Sequence, residues 1–81
     1  MWYVYILLCS DGSLYTGSSN DPEARFDDHK KGKGGRYTRS HKPIKILHTE
    51  QLESKSTALK RELQIKGWGR EEKIKNLKLK I

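Results

Sequence analysis

The sequence is poor in cysteine and long apolar runs, and each shortage excludes a class of protein. A single cysteine, Cys9, excludes an intramolecular disulfide framework, and its apolar surroundings predict an inert core thiol in a reducing cytoplasm. No segment approaches the roughly 20 apolar residues of a membrane-spanning helix. The apolar residues 1–9 also lack the basic start and the small-residue cleavage site of a signal peptide. We therefore expect a cytoplasmic protein without a membrane partner.

Negative charge is also scarce. Lysine and arginine total 17 against 10 for aspartate and glutamate, which gives a net charge of +7, and the cations cluster in residues 30–45 and 60–80. Solubility alone needs no such excess, so this balance favours a polyanionic partner, DNA with RNA left open. Six cations are the candidate phosphate contacts: Lys30, Lys31, Lys33, Arg36, Arg39 and Lys66.

The 81 residues are enough for one domain, residues 1–81, with a thin core, since the hydrophobic and charged fractions are both 33%. A monomer or weak dimer is expected. Apolar patterning and turn residues predict strands at 2–9, 14–18 and 44–50. Asp21 caps a predicted helix at 22–31, and Ser54 or Ser56 caps a second that runs to about Lys66, where Gly67 and Gly69 interrupt it before a third at 70–77. The order β-β-α-β-α-α indicates an α+β fold, a small three-stranded antiparallel sheet flanked by helices.

The segment between the first helix and the third strand is predicted to be a flexible basic loop. Gly32, Gly34 and Gly35 alternate there with lysine and arginine. Such a loop suits contact with a phosphate backbone, and it equally suits a solvated connector. The segment is not a Walker loop, because the Gly-Lys-Ser/Thr ending is absent. The histidines also lack cysteine partners, so no zinc site is expected.

Glu62 is the strongest anomaly in the pattern. On a helical projection it lies near the middle of an apolar arc formed by Ala58, Leu59, Leu63 and Ile65. Burying a carboxylate is costly unless it is paired or bound to a cation. A metal site and a structural ion pair with Lys66 or Arg25 are the two interpretations, and the metal site is favoured.

The first helix and the hairpin supply further candidates. Arg25 and His29 are four residues apart, so a cation and an imidazole share one helix face. A guanidinium in this position can hold a phosphate with its planar fork. The hairpin contributes Tyr3, Tyr5 and Tyr15, of which Tyr3 is expected to serve packing alone.

Together these residues resemble the GIY-YIG nuclease superfamily. Tyr3-Val4-Tyr5 and Tyr15-Thr16-Gly17 are similar to the two tripeptides that name it, Arg25 follows ten residues after Tyr15, and Glu62 lies on a later helix. The resemblance covers essentially the whole chain and extends to the small stand-alone bacterial members. The departures are Tyr3 and Val4 for glycine and isoleucine, Thr16 for isoleucine, and Ser18 where several members have lysine; Asn76 is the candidate for a late asparagine.

The resemblance implies a metal-dependent endonuclease acting in DNA repair, recombination or nucleic-acid turnover. Phosphodiester hydrolysis would leave a 5′ phosphate and a 3′ hydroxyl. In this interpretation Glu62 holds Mg²⁺ or Mn²⁺. Arg25 stabilises the transition state. The general base is Tyr5, Tyr15 or His29, and the sequence does not decide among them.

Two other functions remain as alternatives. One is a non-catalytic basic nucleic-acid-binding module, and the other is an adaptor for an acidic protein. Geometry also restricts the nuclease interpretation. A two-residue hairpin loop at Asp11-Gly12 would pair Leu8 with Tyr15 and leave Tyr5 and Tyr15 on opposite faces of the sheet. A shared active site therefore requires an odd-length loop or a bulge.

Overall fold

The computed structural model describes residues 1–33 and 35–81, without the side chain of Arg39. The elements in that part of the chain are β1 (Trp2–Cys9), β2 (Leu14–Ser19), α1 (Pro22–Lys30), α2 (Arg36–Ser40), β3 (Pro43–Leu52), α3 (Lys55–Lys66) and α4 (Arg70–Leu77). The strands form one antiparallel sheet in the order β2-β1-β3. The predicted α+β class and element order are confirmed, with the short helix α2 as an addition.

Helix α2 corrects the prediction of a flexible loop between α1 and β3. Residues 36–40 form little more than one turn of helix after Gly35, whose φ of +136° favours glycine. Thr38 in this helix is buried and bonds to His29 of α1. A tertiary contact therefore orders a segment that has no apolar periodicity of its own. Gly34 lies outside the described residues.

The hairpin between β1 and β2 has the odd-length loop that a shared site requires. Leu8 pairs with Leu14, and the backbone N–H of Cys9 donates to the carbonyl of Ser13 at 2.9 Å, which leaves three residues in the loop. Gly12 takes a φ of +84°, as three-residue hairpin loops with a left-handed position require. Tyr15 consequently pairs with Leu7 and lies on the same face as Tyr5. The register therefore meets the condition for a shared site.

One face of the sheet carries the apolar core under α3 and α4. Val4 and Ile6 of β1 are fully buried there, together with Ala58, Ile65 and Leu79. Full burial of an aliphatic side chain of this size contributes about 1.5–3 kcal/mol. A small set of side chains therefore supplies much of the hydrophobic stabilisation.

The apolar arc predicted for α3 is partly wrong. Leu59 is 43% exposed and Leu63 is 70% exposed, so neither contributes to the core. Ala58 and Ile65, seven residues apart, define the buried side instead. Glu62 lies between them on that side, because positions four and three residues apart share one helix face. Its anomalous position therefore persists in the structure.

The opposite face of the sheet lies under α1. Tyr5, Leu7 and Cys9 are buried on this side, and the one buried residue of α1 is the polar His29. Burial raises the pKa of the Cys9 thiol, in agreement with the prediction of an inert core cysteine. This second layer is therefore held by polar contacts as much as by apolar ones.

Two caps and one ion pair fix the helices against the sheet. Asp21 Oδ1 accepts from the N–H of Ala24 at 3.1 Å, as predicted, and Ser54, one of the two predicted candidates, caps α3. Glu50 of β3 receives two hydrogen bonds from Arg61 of α3, at 2.7 and 3.0 Å. None of the helices in the described part of the chain has the length and hydropathy needed to cross a bilayer.

Candidate active site

A buried chain of three side chains lies between β1 and the helices α1 and α2. The Tyr5 hydroxyl is 3.0 Å from Nε2 of His29, and Nδ1 of His29 is 2.6 Å from Oγ1 of Thr38. The exposed fractions of these residues are 1%, 1% and 2%, so water scarcely competes for these bonds. Thr38 was not among the predicted site residues, because a single threonine in a basic segment gives no sequence signal.

The protonation states of this chain follow from burial and from Arg25. Burial lowers the pKa of His29, and the Arg25 charge lowers it further, so the imidazole is neutral near pH 7. Burial raises the pKa of Tyr5, as does the neighbouring Tyr15, while the charge and hydrogen bond of Arg25 lower it. Where the Thr38 hydroxyl accepts from Nδ1–H, Nε2 of the neutral ring accepts from the Tyr5 hydroxyl.

Gly17 allows the Tyr5 side chain to reach the β2 edge of the sheet. Gly17 pairs with Tyr5 across the two strands. A Cβ atom at this position would lie 2.5 Å from the Tyr5 hydroxyl oxygen and 2.7 Å from Cζ of the ring. The ring cannot yield as a flexible side chain would, so only glycine fits here. The glycine of the second tripeptide thus has a steric explanation.

Glu62 approaches the same edge from the other face. Its side chain is 14% exposed. The Ser18 hydroxyl donates to Oε1 at 2.5 Å, and Nζ of Lys66 is 2.6 Å from Oε2. Ser18 follows Gly17 directly, so the contacts of Tyr5 and of Glu62 meet at neighbouring residues of β2. The Glu62 charge is also one of the causes that raise the pKa of Tyr5.

The oxygen donors at the β2 edge suit a hard divalent cation. Glu62 supplies a carboxylate and Ser18 a hydroxyl. Residues 1–33 and 35–81 contain no group of three or more His, Cys, Asp or Glu side chains arranged to hold a metal. Mg²⁺ is commonly held by one or two carboxylates and retains several waters, so a single glutamate fits it. The cation would compete with Lys66, whose side chain is 47% exposed and free to turn into solvent.

Arg25 and the predicted phosphate contacts differ in their surroundings. The Arg25 side chain is 39% exposed, interacts with Tyr5, and pairs at 3.7 Å with Asp28. The predicted phosphate contacts that are exposed are Lys30, Lys31, Lys33, Arg36 and Lys66. Lys66 is engaged with Glu62, whereas the side chain of Arg39 lies outside the described part of the structure.

A cavity of about 470 Å³ lies near the start of α1. Its lining residues are Tyr3, Asn20, Asp21, Pro22, Glu23, Ile46 and Thr49. None of the predicted catalytic residues borders this cavity. The cavity therefore does not include the predicted catalytic side chains, which gather at the β2 edge instead.

The predicted catalytic residues thus gather in two groups that share one strand edge. Tyr5, Tyr15 and His29 contact one another, with ring-centroid distances of 6.4 Å between the tyrosines and 4.9 Å between Tyr15 and His29. Arg25 acts on the same tyrosine, and Glu62 lies across the edge.

Comparison with known proteins finds relatives over nearly the whole chain. The model of the GIY-YIG catalytic domain matches residues 1–76. A UPF0213 protein of Staphylococcus aureus strain Mu3 is 46% identical over 76 residues, which cover 94% of this chain and 93% of that protein. The solution NMR structure of a UPF0213 protein from Bacillus halodurans has a TM-score of 0.61 at 39% identity, covering 96% of this chain and 84% of that one. The solution NMR structure of a protein from E. faecalis has a TM-score of 0.64 at 42% identity, and the match covers 94% of this chain and 81% of that one.

Proposed function

The chain belongs to the GIY-YIG catalytic-domain family, and from this premise we propose that it is a divalent-metal-dependent endonuclease that hydrolyses phosphodiester bonds in nucleic acid. One observation carries the proposal. Side chains from both faces of the sheet converge on Gly17 and Ser18 of the β2 edge, two tyrosines from one face and a carboxylate from the other. An arginine, Arg25, interacts with Tyr5 at the same place. A purely structural sheet has no need of this combination at an open edge.

The proposed reaction is the attack of water on phosphorus. The water oxygen forms a bond to phosphorus, the bond to the 3′ oxygen breaks, and its electron pair leaves with that oxygen, which takes up a proton. The products are a 5′ phosphate and a 3′ hydroxyl. Arg25 is the residue suited to hold the non-bridging oxygens, because its guanidinium offers several donors in one plane and its charge opposes the developing negative charge.

Accessibility separates the roles of the two tyrosines. Tyr15 is half-buried, so its hydroxyl is suited to orient the attacking water. Tyr5 is 1% exposed and is bonded to neutral His29. In the proposal Tyr5 and His29 form the proton-accepting pair below the site, and His29 acts through the Tyr5 hydroxyl, with Thr38 fixing its tautomer. Because its pKa is raised, Tyr5 is protonated near pH 7, so it can accept a proton from the water only as its own proton passes to Nε2 of His29.

Glu62 would hold Mg²⁺ or Mn²⁺, with Ser18 orienting the carboxylate. The bound cation would neutralise negative charge on the phosphate and on the leaving oxygen. Lys66 keeps the carboxylate paired in the free protein, and an i,i+4 pair with an exposed lysine contributes little, so its exchange is inexpensive.

The proposed substrate is DNA, with RNA as the other polyanion to test, and the proposed setting is repair, recombination or nucleic-acid turnover in the cytoplasm. A non-catalytic binding module is the second candidate. It is supported by the basic surface and by the altered first tripeptide, in which Tyr3 and Val4 replace glycine and isoleucine.

A cleavage assay on a panel of substrates tests the proposal. The purified protein is incubated with single-stranded, duplex, flap and branched DNA and with RNA, in Mg²⁺, in Mn²⁺ and in a chelator. We expect metal-dependent cleavage of at least one substrate, with 5′ phosphate ends identified by ligation. Salt-sensitive binding without cleavage of any substrate in either metal would establish the binding module instead.

A further inference from the structure

Three stacked rings lead from the candidate active site to the protein surface. Tyr15 and Tyr37 have a centroid distance of 5.8 Å and an interplanar angle of 27°, and Tyr37 and His41 are nearly parallel, at 4.1 Å and 8°. We call Tyr15, Tyr37 and His41 the aromatic ladder. Its inner ring, Tyr15, packs edge-on against His29, and Tyr37 is 39% exposed. The ladder therefore joins the proposed reaction site to solvent.

The outer end of the ladder is held in a fixed orientation by polar contacts at its ring edge. Nδ1 of His41 is 2.9 Å from the carbonyl oxygen of Tyr37, and Nε2 is 3.5 Å from Oδ2 of Asp11. These contacts engage both ring nitrogens at the edge of the imidazole. Stacking on Tyr37 fixes the plane of the ring. The outer end is thus a preorganised aromatic surface.

Basic residues next to the ladder in the sequence favour a polyanionic ligand. Arg36 precedes Tyr37 in α2, and exposed Lys30, Lys31 and Lys33 lie between His29 and this helix in the chain. Aromatic rings beside lysine and arginine are the combination that binds single-stranded nucleic acid, in which bases stack on the rings while cations contact the phosphates. In a duplex the bases are paired and stacked on one another, so their faces are not available to a protein ring.

We propose that the aromatic ladder is a stacking platform for an unpaired nucleobase adjacent to the cleaved phosphate, so that single-stranded or locally unpaired nucleic acid is the substrate class. The inference rests on the proposed function, because Tyr15 belongs to both the ladder and the candidate active site. It adds a role for Tyr37 and His41, which the cleavage mechanism does not use.

The first test changes the ligand and leaves the protein intact. Binding is measured by fluorescence anisotropy in a chelator, so that no cleavage occurs. The probes are an oligothymidylate, a strand of equal length whose central residues are abasic, and a duplex. We expect the abasic strand to bind about tenfold more weakly than the oligothymidylate, with the same dependence on salt because the phosphates are equal in number. Equal affinity for the two strands, or tightest binding to the duplex, would overturn the proposal.

The second test changes the platform. Tyr37→Leu keeps an apolar side chain against Tyr15 but removes the middle ring of the ladder, on which His41 is stacked. Tyr3→Leu is the matched control because Tyr3 lies outside the ladder. Thermal melting checks the fold of both variants. We expect Tyr37→Leu to lose about tenfold in affinity for the oligothymidylate and to bind the abasic strand and the duplex unchanged. Tyr37→Trp should retain the preference for the oligothymidylate. An equal loss for all three probes, or an equal loss in Tyr3→Leu, would contradict a stacking role.

The outcomes separate this inference from the proposed nuclease activity. Preference for the base-bearing strand without cleavage in Mg²⁺ or Mn²⁺ would support the platform and refute the nuclease. Metal-dependent cleavage together with binding that ignores the bases would support the nuclease and refute the platform.

Discussion

The two faces of the central strand β1 have different compositions and different tasks. Val4 and Ile6 point to the side covered by α3 and α4, where the buried neighbours are aliphatic. Tyr5 points to the other side, where the buried partners are His29 and Thr38. Because strand residues alternate between faces, one short segment serves both an apolar core and a polar network.

This difference shows how a chain of 81 residues accommodates a candidate active site. Buried polar groups stabilise less than close-packed aliphatic groups do, so the network is tolerable only where a separate core supplies the stability. The two faces meet at the β2 edge, where Glu62 reaches Ser18 beside Gly17. Substitutions on the two faces should therefore have different signatures.

The largest effect on stability is expected on the apolar face. Ile6 is fully buried in the core, so Ile6→Ala should lower the free energy of unfolding by about 2–5 kcal/mol, a large part of the about 5–15 kcal/mol typical of a domain. Urea denaturation measures this loss. The matched control Ile44→Ala, at a residue 56% exposed, should change it by less than about 0.5 kcal/mol. Similar losses in both variants would mean that this face is not the stabilising one.

On the polar face the larger effect should be on activity. Tyr5→Phe keeps the ring but removes the hydroxyl that bonds to His29, so cleavage should fall by about 100-fold or more. The unpartnered His29 nitrogen should cost about 1–3 kcal/mol of stability. Initial cleavage rates at a temperature where both proteins are folded give the comparison, with Tyr3→Phe as the control. Wild-type rates in Tyr5→Phe would remove the hydroxyl from the mechanism.

The polar face should also be the more sensitive to mild acid. The pKa of His29 lies below its usual 6.5 in the folded state, so the unfolded chain binds more protons as the pH falls through that value. Stability is therefore fully present above about pH 6.5 and declines as the pH drops towards the folded-state pKa. Urea denaturation between about pH 7.5 and about pH 5.5 measures how the free energy of unfolding changes with pH. These pH values lie above the range in which carboxylates titrate.

His29→Gln provides the comparison for this pH dependence, since an amide can still form a hydrogen bond with Tyr5 but does not titrate. The slope between these pH values should diminish in the variant, whatever its absolute stability. An unchanged slope would assign the acid sensitivity to another group.

The smallest expected changes in the free energy of unfolding come from substitutions of two buried threonines. Among the side chains that the structure describes, Oγ1 of Thr16 is the one buried polar atom without a hydrogen-bond partner. Thr16 pairs with Ile6 on the apolar face. Thr16→Val should stabilise the protein by about 1 kcal/mol. Thr38→Val, which removes the bond to His29, should destabilise it by a similar amount. Urea denaturation of the pair measures both, and effects of the same sign would break the contrast between the faces.

Local sequence signals predicted most of the fold. The Asp21-Pro22 and Ser54 caps and the glycines at 67 and 69 marked helix boundaries that the structure contains within one or two residues. Helix α2 was missed because contacts of Thr38 with His29 and of Tyr37 with Tyr15 order it, and contacts between distant residues have no local signature.

Most residues of the candidate site carried a sequence signal, whereas Thr38 and the arrangement of the site did not. Glu62 stood out because a carboxylate on the buried side of a helix is costly. Its partners were harder to find. The bond from Ser18 depends on the hairpin register, and a loop one residue shorter would reverse which side chains face α3. Leu59 and Leu63 were wrongly assigned to the core. Helical periodicity shows which side of a helix is apolar, but it does not show how much of that side the sheet covers.

The central claim is that Glu62 serves the reaction and not the fold, and Glu62→Gln tests it most directly. Thermal melting, binding to DNA in a chelator and cleavage in Mg²⁺ and Mn²⁺ are measured on the same preparation. The control is Glu71→Gln, at a side chain 88% exposed. We expect cleavage to fall to background in Glu62→Gln, with little change in melting, because the exposed Lys66 returns to solvent, and with binding retained. A Glu62→Gln protein that cuts at the wild-type rate in both metals would contradict the account.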